Sequence, residues 1–66
     1  MNLKWTDIED IAIELCTQYP DTDPQWINFV DLKQSVCDLE HFSDDPARCN
    51  ERILEAIQSA WIEEKD

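Results

Sequence analysis

Apolar positions in this 66-residue chain fall into stripes of helical period, separated by short stretches rich in Asp and Pro. The clearest stripe lies in Phe42 to Trp61. From Asn50, the positions Leu54, Ile57 and Trp61 follow at offsets 4, 7 and 11, with Ile53 and Ala60 beside them. A 3.6-residue period keeps all of these on one side. Asp44 and Asp45 can accept the free N–H groups of a helix start, and Pro46 suits the first helical position. The pattern predicts a helix of about five turns from Pro46 to roughly Glu64, with the rest of the chain packed on its stripe.

Ahead of it, Ile8, Ile11, Ala12, Leu15, Cys16 and Tyr19 follow at offsets 0, 3, 4, 7, 8 and 11. They predict an amphipathic helix from Asp7 to about Gln18, with Ile13 off the stripe. Thr6 with Glu9 three residues on has the form of a capping box, and Trp5 stands where an apolar residue can staple the entry. Pro20-Asp21-Thr22-Asp23-Pro24 ends this helix in a rigid acidic loop. Trp26-Ile27-Asn28-Phe29 reads as a brief extended segment with Ile27 and Phe29 pointing inward. Asp31 then opens a short helix that buries Leu32, Val36 and Leu39 and ends near Glu40, after which Phe42 packs back. The expected architecture is mainly α, three helices plus a short extended piece in a single domain, 1–66.

A chain this short buries only about 60% of its unfolded surface, so its core is small. The three Trp, two Phe and the Ile and Leu residues are expected to make up most of it. A deep two-walled active-site cavity has no room, which weighs against an enzyme. The chain has no Gly, hence no ordinary phosphate-cradling loop. No apolar run approaches the roughly 18 residues of a membrane span, and the first residues lack a secretory signal, so the expected location is the cytoplasm. Cys16, Cys37 and Cys49 are odd in number and form no CxxC pair, which fits reduced thiols, with Cys16 and Cys37 as small core residues. His41, the one histidine, reads as a partly exposed residue closing a helix.

Charge changes the picture most. Sixteen Asp and Glu against five Lys and Arg leave −11, beyond the magnitude of about 2–8 that solubility asks of a small domain. Such a surface repels phosphates and anionic headgroups, so neither nucleic acid nor membrane is an expected partner. It attracts basic protein surfaces and cations. Carboxylates clustered together repel one another, and a bound dication relieves that repulsion. The candidates for metal are Asp21 and Asp23 in the first loop, Asp31 and Asp38 on the second helix, and Asp44 and Asp45 before the third. A site of carboxylates and water is weak and poorly selective, suited to hard cations. Taken singly, each of these side chains is better explained as a cap or a solvated charge. For a protein partner, the exposed candidates are Asp31, Ser35, Asp38, Glu51 and Glu55.

Beyond these patterns, Leu3-Lys4-Trp5-Thr6-Asp7, Pro20-Asp21-x-Asp23-Pro24, Phe29-x-Asp31-Leu32, Phe42-x-Asp44-Asp45-Pro46 and Asn50-Glu51-x-Ile53-Leu54-Glu55-Ala56-Ile57, closed by Trp61, form a distinctive set. It resembles the small acidic IscX family of the bacterial iron–sulfur cluster assembly machinery, over nearly the whole chain and without gaps. The resemblance implies a compact helical fold of winged-helix type. It also implies an adaptor role on the cysteine desulfurase, with frataxin and scaffold proteins reached through that enzyme. Weak binding of Fe²⁺ by exposed carboxylates and modulation of cluster formation are implied as well, with no catalysis by the small protein itself. A monomer is expected. Two positions depart from the family pattern: Val30 stands where Thr is usual, which leaves Asp31 as the expected helix cap, and Cys49 stands where Ser is usual.

The competing reading is a winged-helix regulatory module that binds protein or DNA and has no iron role. Its DNA-binding form conflicts with the charge, because Lys33, Arg48 and Arg52 are outnumbered locally by carboxylates.

Overall fold

The computed structural model describes residues 2–65. In it α1 spans Ile8–Gln18, α2 spans Phe29–Cys37 and α3 spans Glu51–Lys65, with a single 3₁₀ turn at Pro46–Arg48. Among the described residues there is no strand. The one β feature is an isolated parallel bridge between Leu3 and Phe42. A winged-helix hairpin is therefore not among the described elements, and the fold is a mainly helical one of three helices.

Each boundary has a local cause. Asp7 stands at the start of α1 but makes no capping bond with its side chain. Its carboxylate turns back to accept the Lys4 N–H at 2.9 Å, and its own N–H donates to the Lys4 carbonyl. The expected Thr6–Glu9 capping box is replaced by this Lys4–Asp7 turn. Glu9 and Asp10 still place negative charge in the first turn, where the helix dipole favours it. Tyr19 closes α1 with an N–H to the Leu15 carbonyl, and Pro20 behind it keeps Tyr19 out of helical geometry.

The start of α2 departs from expectation. Asn28 caps it, accepting the Asp31 N–H through Oδ1 at 2.8 Å, so the helix opens at Phe29 rather than at Asp31. Of the segment expected to be extended, Trp26 ends a turn, Asn28 is extended at φ −83° and ψ 163°, and Phe29 is already helical. The helix also ends earlier, at Cys37, with Asp38 as its cap.

The five-turn helix expected from Pro46 is interrupted. Asp45 Oδ1 accepts the Ala47 N–H at 2.9 Å and starts the 3₁₀ turn, with Pro46 at its first position. Cys49 is then extended, at φ −74° and ψ 145°. Asn50 restarts the helix by accepting the Ile53 N–H at 2.9 Å. An Asn side chain competes with the backbone for these N–H groups, so it favours a cap over a place in the stripe.

The core joins the three stripes. Ile11, Ala12 and Leu15 of α1 meet Leu54, Ile57 and Trp61 of α3, with Leu32 and Val36 of α2 and Leu39 beyond it closing the third side. Leu3 and Trp5 enter the same cluster from the N-terminal segment, so residues before the first helix are part of the core. Complete burial of such a side chain contributes about 1.5–3 kcal/mol. Cys16 and Cys37, expected as small core residues, lie only partly buried against the cluster. Trp26 does not: 79% of its surface is open.

Candidate functional site

The charged side chains lie outside this core. Among the described residues no polar or charged side chain is buried. The cations do little to neutralise the acids. Arg48 approaches Asp44 at 3.8 Å, and His41 stands 4.0 Å from Glu14, a pair that is ionic only when the imidazole is protonated. Lys4 gives its ammonium to the Ser43 carbonyl, and Lys65 gives its own to the Thr22 carbonyl at 2.8 Å. Two of the five cations thus hold loops in place through neutral acceptors. The result is a molecule of 28 × 24 × 16 Å whose negative surface is mostly unpaired among the described residues.

The six metal candidates occupy separate places and most have local partners. Asp21 and Asp23 lie exposed in the loop after α1, and Asp23 Oδ1 accepts the Gln25 N–H at 3.0 Å. Asp31 accepts from the Asn28 amide at 3.1 Å, and Asp38 accepts from Gln34 Nε2 at 3.0 Å. Asp44 accepts the Trp5 N–H at 3.0 Å and the Asp45 N–H at 2.7 Å. Those two backbone bonds, first Trp5 and then Asp45, hold the Asp44 carboxyl below its ordinary 3.8, with Arg48 and Lys4 adding to the effect against some burial. Among the described residues no group of three His, Cys, Asp or Glu side chains converges as a metal site. The donors therefore do not fit a coordination cage.

Cys37 and Cys49 are poor alternatives as ligands. Burial raises the Cys37 and Cys49 pKa above 9.0, opposed in each by Lys33 and aided by Asp38 for Cys37 and by Cys37 for Cys49. A thiol held protonated is a weak ligand and nucleophile.

Of the partner-facing candidates, Asp31 and Asp38 are exposed and Ser35 is half-buried between them on α2. Offsets of 4 and 7 put the three on one side of that helix. Glu51 and Glu55 are exposed on α3. What sequence reasoning missed is the apolar exposure at the start of α2. Trp26 and Val30 are each 79% open, four residues apart across the start of α2. Within the chain, the uncharged run from Pro24 to Val30, bounded by Asp23 and Asp31, was the available signal.

The family model described as iron–sulphur cluster assembly matches residues 3–66. An uncharacterized protein of Pseudomonas aeruginosa is 58% identical over 66 residues, with 100% of both chains covered. On a match of that extent, the chain belongs to the iron–sulphur cluster assembly family, the IscX family.

Proposed function

We propose that this protein is an acidic adaptor of cluster assembly that docks on the cysteine desulfurase and modulates cluster formation. It works in the cytoplasm as a monomer, performs no chemistry of its own, and meets frataxin and scaffold proteins through the desulfurase. Fe²⁺ associates weakly with its surface carboxylates, held by a diffuse negative field with water completing the coordination. The kinship to winged-helix folds belongs to the same proposal, supported by the order of three helices and the Leu3–Phe42 bridge.

The observation that carries this reading is the unpaired negative surface: −11 on 66 residues, with one Asp–Arg pair among the described residues. Charge of one sign on one partner steers association with a basic surface and sets its salt dependence. Asp38 is the cleanest probe. It is exposed at the C-terminal end of α2, where a cation suits the helix dipole, so Asp38→Lys leaves the fold intact. Binding to the desulfurase, measured by interferometry at low and high salt, should weaken with the reversal and with salt. The Debye length falls from about 8 Å at 0.15 M to about 3 Å at 1 M, enough to screen most of the attraction. Affinity indifferent to both changes sinks the acidic-docking reading.

A further inference from the structure

Three large apolar side chains stand exposed among the described residues: Ile13, Trp26 and Val30. Ile13 is alone on α1, and single exposed apolar residues are ordinary. Trp26 and Val30 are different, because they flank one helix start within an uncharged run of seven residues in a chain that is 32% charged. Val30 also borders an open depression lined with Lys33, Gln34, Cys37 and Pro46, so the apolar surface continues toward the turn before α3. Asp23 and Asp31 bound the run and are exposed, and neither makes an ion pair among the described residues. An apolar centre with a charged rim is the anatomy of a protein interface, and Trp is the residue type most enriched among binding hot spots.

We propose that Trp26 and Val30 are the apolar anchor of the docking surface, and that their occupant is a protein surface presenting an apolar socket ringed by Lys and Arg. The proposal rests on the adaptor reading and adds the residues that hold the complex once charge has brought the partners together. Charge complementarity selects the occupant. A second copy of this chain brings another −11 to the same contact, whereas a basic surface meets Asp23 and Asp31 with opposite charge.

The test uses the purified desulfurase as probe, with the full chain and its Trp26→Ala, Val30→Asp and Asp38→Lys variants. Circular dichroism first checks that each variant keeps native helix content, as the 79% exposure of both anchors leads us to expect. Trp26→Ala should then weaken binding about tenfold or more, the usual loss for a buried Trp anchor. That factor should be similar at low and high salt, since apolar burial is not screened, while the Asp38→Lys factor shrinks as salt rises. Wild-type binding with Trp26→Ala and Val30→Asp both within twofold overturns the anchor and leaves the adaptor reading standing. Failure of the wild-type chain to bind at all overturns both. Sedimentation showing a dimer that Trp26→Ala dissolves assigns the patch to a second copy and overturns the basic socket.

Discussion

Asp44 accepts the backbone N–H of Trp5 at 3.0 Å, joining positions 39 residues apart. The neighbouring Asp45 carbonyl takes the Trp5 indole N–H at 2.8 Å, and the Trp5 ring meets Phe42 edge-on at 4.7 Å. Leu3 adds two backbone bonds to the same region, donating to His41 and accepting from Ser43. The loop before α3 and the N-terminal segment are thus one clamp, and the carboxylate of Asp44 is its polar centre.

The clamp makes a pH prediction. Because the native pKa of Asp44 is depressed, its contribution to stability is present above the ordinary value of 3.8 and is lost as pH falls from there through the native value. Asp44→Asn keeps the shape and removes the charge. Urea unfolding should show the variant less stable than wild type at neutral pH, with the gap closing well below pH 3.8. The difference between the two proteins is the readout, because acid also relieves the repulsion of the whole negative surface. A gap that is constant with pH would show that the Asp44 charge does not hold the clamp.

Trp61 tests the core. It is fully buried at the end of the α3 stripe, so Trp61→Ala should cost about 3–5 kcal/mol, much of the stability of so small a domain. Among the described residues its indole N–H finds no hydrogen-bond partner. Trp61→Phe removes that donor and leaves a smaller void, and relief of an unsatisfied buried donor offsets about 1–3 kcal/mol. Thermal melts should therefore place Trp61→Phe close to wild type and Trp61→Ala largely unfolded. Near-native melting of the alanine variant would contradict the packing of α3 on α1.

The helix caps give a third comparison. Asn28→Ala and Asn50→Ala each leave a first-turn N–H without its acceptor and should cost about 0.5–2 kcal/mol. Thr6→Ala should stay within about 0.5 kcal/mol, since Thr6 is exposed and α1 begins on the Lys4–Asp7 turn instead. Denaturant midpoints for the three variants rank these costs. The reverse order would restore the capping box at Thr6.

Metal binding separates oxygen donors from sulfur. Under anaerobic conditions Fe²⁺ should bind in about the micromolar range or more weakly, with Mn²⁺ and Ca²⁺ competing, as carboxylate sites discriminate poorly. Replacing Cys16, Cys37 and Cys49 together by Ser should leave iron affinity unchanged in a folded variant. Loss of binding there would move the ligands to the thiols, despite the burial that keeps Cys37 and Cys49 protonated.

The sequence by itself determined the three helices, the buried faces and the sign of the surface. Ile11 and Leu15, Leu32 and Val36, and Leu54, Ile57 and Trp61 are buried where their 3.6-residue spacing puts them, because an apolar stripe has one favourable way to face. Net charge is a sum over residues and needs no fold to be known. Tertiary structure decided what depends on which partner a group finds. Asp7 could cap forward or turn back to Lys4, and Asn50 could join the stripe or restart α3; local pattern does not rank such alternatives. The fate of the tryptophans was decided the same way. Trp5 reaches the Asp45 carbonyl and the Phe42 ring in the loop before α3, whereas Trp26 stays outside while its neighbours Ile27 and Phe29 pack against the core. A small core admits only so many large rings, and which one stays outside is settled by packing across the chain rather than along it.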